Sequence, residues 1–192
     1  MNTQPVPAYA VIHDQLIGIL NTLVNQDVDE VSKAREFQKL EALAADLKNI
    51  SQAHGLSVMG SIAAARKNIP AMREYHRRAI RMEKDIVLRT NYATSLYVTG
   101  LLDEAYDAAL AIHSDHKDDV EVLDLLVKVA WAMEQYGLFD EYADLFEKLT
   151  GRQHDIARAE DESDVRLAEE ALASPGPQDS IPWEKVKEEL GL

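Results

Sequence analysis

Apolar residues recur at helical spacing along most of the chain, with polar residues between them. Over residues 8–25, Ala10, Val11, Leu16, Ile17, Leu20, Leu23 and Val24 fall on one helical face. Asn25-Gln26-Asp27 interrupts that pattern, and Asp27 with Glu30 three residues later has the form of a capping box. A second helix is predicted from there to about Ile50, with Val31, Ala34, Phe37, Leu40, Leu43, Ala44 and Leu47 as its apolar face. Further helices are predicted over 53–66, 70–83, 86–99, 102–113, 118–136 and 139–150. Their ends are punctuated. Pro70 suits a first helical turn, Asp85 is a cap, and Asp118 with Glu121 repeats the capping-box pattern. Gly100 and Gly137 end the helices that precede them.

A short phrase is said twice. Gly100-Leu101-Leu102-Asp103-Glu104-Ala105 returns as Gly137-Leu138-Phe139-Asp140-Glu141-Tyr142, 37 residues later. Setting Lys67, Gly100 and Gly137 equivalent gives offsets of 33 and 37 and superimposes three helix pairs. Gly60, Ala93 and Ala130 then match as small residues that let paired helices approach. Ala79, Ile112 and Leu149 match as apolar positions, as do His76, Ala109 and Phe146. This pattern resembles the tetratricopeptide repeat, most closely at Ala93, Gly100, Asp103, Glu104 and Ala105. The third unit has Tyr142 where the family has Ala, the first lacks the turn Gly, and none carries the closing Pro.

The resemblance covers roughly residues 53–150. It implies an all-α fold of antiparallel helix pairs stacked as a right-handed superhelix. In that family the first helices line an inner wall that holds an extended peptide or a helix. Carried onto this chain, the resemblance implies partner contacts at Asn91, Thr94, Tyr97 and Val98, and at Lys128, Trp131 and Gln135. Asn91 stands where family members bond the ligand backbone. Only Lys128 is basic, so a clamp for a peptide carboxylate is not expected; Tyr97 and Trp131 suit an apolar or amphipathic segment. Trp131 suits packing between repeats equally well.

Composition narrows the function classes. The hydrophobic share is 46%, while Gly and Pro number only 8 and 6, which suits close-packed helices rather than a loop-rich β fold. Cysteine is absent, which removes thiol chemistry and disulfides and suits a reducing, cytoplasmic location. The net charge of −14 disfavours nucleic acid and anionic lipid and favours a basic protein or peptide partner. The start of the chain lacks the charged and apolar regions of a signal peptide, and no apolar run reaches bilayer length. The front reads as an acidic array with no basic stripe.

The sequence divides into a helical-repeat domain over 1–152 and an acidic tail over 153–192 with 11 Asp/Glu against 4 Lys/Arg. The tail predicts a helix over about 157–173, a Pro/Gly linker at 174–179, and a short amphipathic helix with Trp183, Val186 and Leu190 on one face. The run from Ile181-Pro182-Trp183-Glu184 to Leu190-Gly191-Leu192 is similar to the tails of RelB/Phd-type antitoxins. That resemblance implies an acidic tail, contacting a basic toxin through Trp183, Val186 and Leu190. Capping the end of a repeat array is the more general role for such a helix, since an array must cover its last apolar face.

No phosphate loop, nucleophile elbow or zinc-protease motif is present. The one cluster with ligand-like types, His113-Ser114-Asp115-His116 with Asp118 and Asp119, reads as a solvated helix end. No catalytic residue, cofactor or metal is therefore expected.

Overall fold

A computed structural model of the protein describes residues 29–173. Among them are eight helices and no strand: α1 (Glu30–Ile50), α2 (Gln52–Ala65), α3 (Ile69–Met82), α4 (Ile86–Val98), α5 (Leu102–Asp115), α6 (Val120–Ala132), α7 (Tyr136–Thr150) and α8 (Asp155–Ala173). The described residues fall in two units, one ending at Arg152 and the other beginning at Gln153. The predicted 8–25 helix, the 174–179 linker and the last helix lie outside the described residues.

In the first unit, α2–α3, α4–α5 and α6–α7 form tightly packed pairs, and α1 packs on α2. The first helices of the pairs also touch in succession, α2 on α4 and α4 on α6. Each first helix begins at a side-chain cap that satisfies an otherwise orphaned N–H. Ser51 accepts from the His54 amide at 3.2 Å, Asp85 from Val87 at 2.8 Å and Asp119 from Val122 at 3.0 Å. Ser51, Asp85 and Asp119 are 34 residues apart in each step.

The turn inside each pair is also the same. Lys67, Gly100 and Glu134 take left-handed φ values of 54°, 79° and 58°. The next residue then bonds back to the carbonyl five before it: Asn68 to Ala63, Leu101 to Leu96 and Gln135 to Ala130, at 2.8, 2.9 and 3.0 Å. These bonds close the helix end as a Schellman motif. Gly137 therefore does not end a helix; it lies in the first turn of α7. The repeated phrase sits three residues deeper in the third unit than in the second. Registers of 33 and 34 replace the expected 33 and 37.

That shift changes which residues are equivalent, and burial follows the new register. Met72, Ala105 and Phe139 match, as do His76, Ala109 and Ala143, and Ala79, Ile112 and Phe146; all are buried. The close-approach position is Gly60, Ala93 and Val127, rather than Ala130. Leu149, expected beside Ile112, is 40% exposed because its true counterpart is Asp115.

Two ends also differ from expectation. Asp29 caps α1, accepting from the Val31 and Ser32 amides at 3.0 Å and from the Ser32 hydroxyl at 2.6 Å. Those bonds, the Ser32 hydroxyl first, hold its carboxyl below the ordinary range. The apolar face of α1 is buried only from Leu40 onward, where Leu40, Ala44 and Leu47 meet Val58 and Ile62 of α2; Val31 and Ala34 are exposed. At α6 the cap is Asp119, not Asp118. Asp119→Ala is expected to cost about 1 kcal/mol and Asp118→Ala less than about 0.5 kcal/mol, read by urea denaturation. The reverse order would refute this capping assignment.

In the second unit, His154 Nδ1 accepts from the Ile156 amide at 3.2 Å and opens α8. The Gln153 side chain donates to Asp161 at 2.6 Å, and Arg158 pairs with Asp155 at 3.2 Å. This surface pair is exposed and contributes little.

Candidate partner-binding face

The 33/34 register places three rows of residues side by side on α2, α4 and α6. One row is Ser61, Thr94 and Lys128. The next is Ala64, Tyr97 and Trp131, and the third is Ala65, Val98 and Ala132. Thr94, Val98, Trp131 and Ala132 are exposed, while Ser61, Tyr97, Lys128 and Ala65 are half-buried. Only Ala64 is fully covered. Thr94, Tyr97 and Val98 thus occupy the register positions of Lys128, Trp131 and Ala132.

Two of the expected contact residues are already engaged. The Asn91 side-chain amide donates to Ser57 Oγ across the first two pairs at 3.3 Å, and Ser57 is buried. Asn91 therefore ties α4 to α2, whatever it offers a ligand. Lys128 is paired with Asp124 one turn earlier at 2.6 Å. Gln135 is not on α6 at all: it sits in the turn, at the start of α7.

Trp131 is both packed and partly exposed. Its ring lies 5.1 Å from that of Phe139 and meets Tyr136 edge-on at 6.0 Å, both on α7. It remains 37% exposed, so one edge faces outward. Trp183, Val186 and Leu190 lie outside the described residues.

The buried polar groups are structural. His76 on α3 is fully buried, with Nε2 2.8 Å from Ser95 Oγ and its ring 5.3 Å from that of Tyr92. Burial lowers its pKa to about 3, so the ring is neutral. The Tyr106 and Tyr142 hydroxyls are 3.1 Å apart, linking α5 to α7. Burial, reinforced by that bond, raises the Tyr142 pKa and keeps its hydroxyl protonated.

His113 packs edge-on against Tyr142 at 6.3 Å, whereas His116 is exposed past the end of α5. The two imidazoles face different surroundings. Among the described residues, no group of three or more His, Asp or Glu is placed to hold a metal ion. A shallow depression of about 530 Å³ is lined by Glu83, Lys84, Asp85, Ile86 and His116, and it is open to solvent.

One feature escapes a reading based on total charge. Residues 66–84 carry seven Lys/Arg and two Asp/Glu, so α3 is a basic helix within an acidic chain. The expectation of no basic stripe is thereby corrected; the signal was local charge, which the total of −14 conceals.

No helix among the described residues is long and apolar enough to cross a membrane. No protein-family model matches this chain, and neither the curated proteins nor the solved structures contain a match.

Proposed function

We propose that this chain is a non-enzymatic protein-interaction module of the tetratricopeptide type. On this reading its stacked pairs form a right-handed superhelix, and a peptide or partner helix lies across α2, α4 and α6. The observation that carries it is the recurrence of caps, left-handed turns and buried positions, with the first helices in mutual contact. A pair of this size buries too little apolar surface alone, and stacking leaves one row per pair turned outward. Thr94, Tyr97 and Val98, together with Lys128, Trp131 and Ala132, are the contact residues of this proposal. The outward edges of Tyr97 and Trp131 favour a partner segment with an apolar or amphipathic face. The reading includes a cytoplasmic location, in keeping with a chain that has no cysteine.

Photocrosslinking in the source organism tests it. A benzophenone amino acid would replace Thr94, Val98 or Ala132 in turn, with Asp107 on α5 and Trp183 in the tail as comparison sites. A single protein captured from the first three sites and from neither comparison site is the expected result. Capture of the same protein from Asp107 as strongly as from Thr94 would remove the proposed face. Capture from Trp183 alone would favour an antitoxin-like tail instead.

A further inference from the structure

The charge on α3 is arranged rather than merely present. Between residues 66 and 84 the formal charge is +5, while the rest of the chain sums to −19, giving the total of −14. Two of these cations have structural partners: Arg66 reaches Glu41 at 2.7 Å and Arg73 reaches Glu104 at 2.6 Å. Arg77, Arg78 and Arg81, with Lys84 just past the helix end, are exposed. These four have no hydrogen-bond or ion-pair partner among the described residues. Arg81 lies four residues from Arg77 and three from Arg78, spacings at which like charges disfavour a helix. The helix dipole offsets this only in the last turn. Glu74, three and four residues before Arg77 and Arg78, and the dipole at Arg81 favour part of the row, but no ion pair among the described residues engages it.

We propose that the outer face of α3, at Arg77, Arg78, Arg81 and Lys84, binds a short acidic segment of a partner protein. Guanidinium groups take carboxylates through paired N–H donors, and three of them on adjacent turns match Asp or Glu side chains at similar spacing. The three arginines span about 6 Å at the helical rise per residue, with Lys84 beyond the extended Glu83, a row that roughly three or four residues of extended chain cover. A long polyanion fits poorly, because it would run off the row. The Arg73–Glu104 pair ties α3 to α5, on which Asp103 and Asp107 are exposed. Short length thus favours an acidic peptide over a nucleic acid. The surface belongs to a second helix of a pair and is separate from the rows on α2, α4 and α6.

The test uses the full chain and fluorescein-labelled tetra-, octa- and dodecaglutamate, with a twelve-nucleotide oligothymidylate for comparison, in low salt. Full affinity should already be reached with the tetramer and change by no more than about twofold on going to the octamer and dodecamer. Combined Arg77→Gln, Arg78→Gln and Arg81→Gln should weaken octaglutamate at least roughly tenfold. Lys39→Gln with Lys148→Gln, on α1 and α7, should leave it unchanged. The triple variant should keep its helical circular dichroism and cooperative melting, since none of the three arginines has an ion-pair partner among the described residues. Failure of octaglutamate to bind, equal binding by the triple variant, continued tightening to the dodecamer, or oligothymidylate binding as tightly as octaglutamate would each overturn the proposal.

Discussion

Gly60→Ala should destabilise this protein, although alanine is the better helix former. The intrinsic gain on replacing a mid-helix glycine is about 0.5–1 kcal/mol. Against it stands the His76 ring. A Cβ on residue 60 would lie 2.5 Å from His76 Cδ2 and 2.6 Å from Nε2, closer than carbon atoms approach without displacement. The ring has nowhere to go: it is fully buried, hydrogen-bonded to Ser95 and stacked near Tyr92. Overpacking of this kind costs about 1–3 kcal/mol, and we expect a net loss of roughly 2 kcal/mol, or on the order of 6–10 °C in Tm.

The repeat register supplies the control. In the second pair the same two positions are Ala93 and Ala109, and in the third they are Val127 and Ala143. The side chain on the first helix is small where its counterpart on the second is large. Gly60→Ala combined with His76→Ala recreates the second pair's arrangement inside the first. The double variant should be more stable than the sum of the single losses predicts, by at least about 1 kcal/mol. Strict additivity in calorimetry would show that the two positions do not share a contact.

The second large effect is in acid. An unfolded His76 takes up a proton near its ordinary pKa of 6.5, whereas the folded ring resists protonation down to about 3 because burial disfavours the charge. The folded state is therefore favoured above pH 6.5, and that advantage is lost as pH falls toward 3. At pH 5 the loss amounts to about 2 kcal/mol relative to neutral pH. Carboxylate titration is superimposed on this in so acidic a chain, so the comparison is between proteins. The fall in urea-unfolding free energy from pH 7 to pH 5 should be about 2 kcal/mol steeper in the parent than in the Gly60→Ala/His76→Ala protein. Parallel pH profiles for the two would mean that the ring is accessible to protons when folded.

Much of the first unit was legible residue by residue. All eight helices among residues 29–173 follow from apolar spacing, because a half-buried helix must repeat its face every three to four residues. The equivalence of the pairs was less legible. Glycine is the residue expected in a left-handed turn, so Gly100 and Gly137 drew the alignment to an offset of 37. Two of the three turns instead use Lys67 and Glu134, at a cost of about 1 kcal/mol each. The Schellman bonds and the buried residues beyond them hold those turns in place. The candidate face shows the same limit. Thr94, Tyr97 and Val98 are ordinary helix positions in sequence, and Asn91 was expected to reach a ligand before its bond to Ser57 was seen.

What the sequence determined by itself was local: where helices start, which faces are apolar, where charge accumulates, and that a short phrase recurs. These depend on neighbours within a few residues along the chain. The register of the pairs, the Gly60–His76 contact, the half-packed setting of Trp131 and which helix residues stay exposed were decided only by tertiary structure. Each depends on which side chain from a distant helix fills the space opposite, and packing at near-crystalline density leaves no freedom to settle that choice locally.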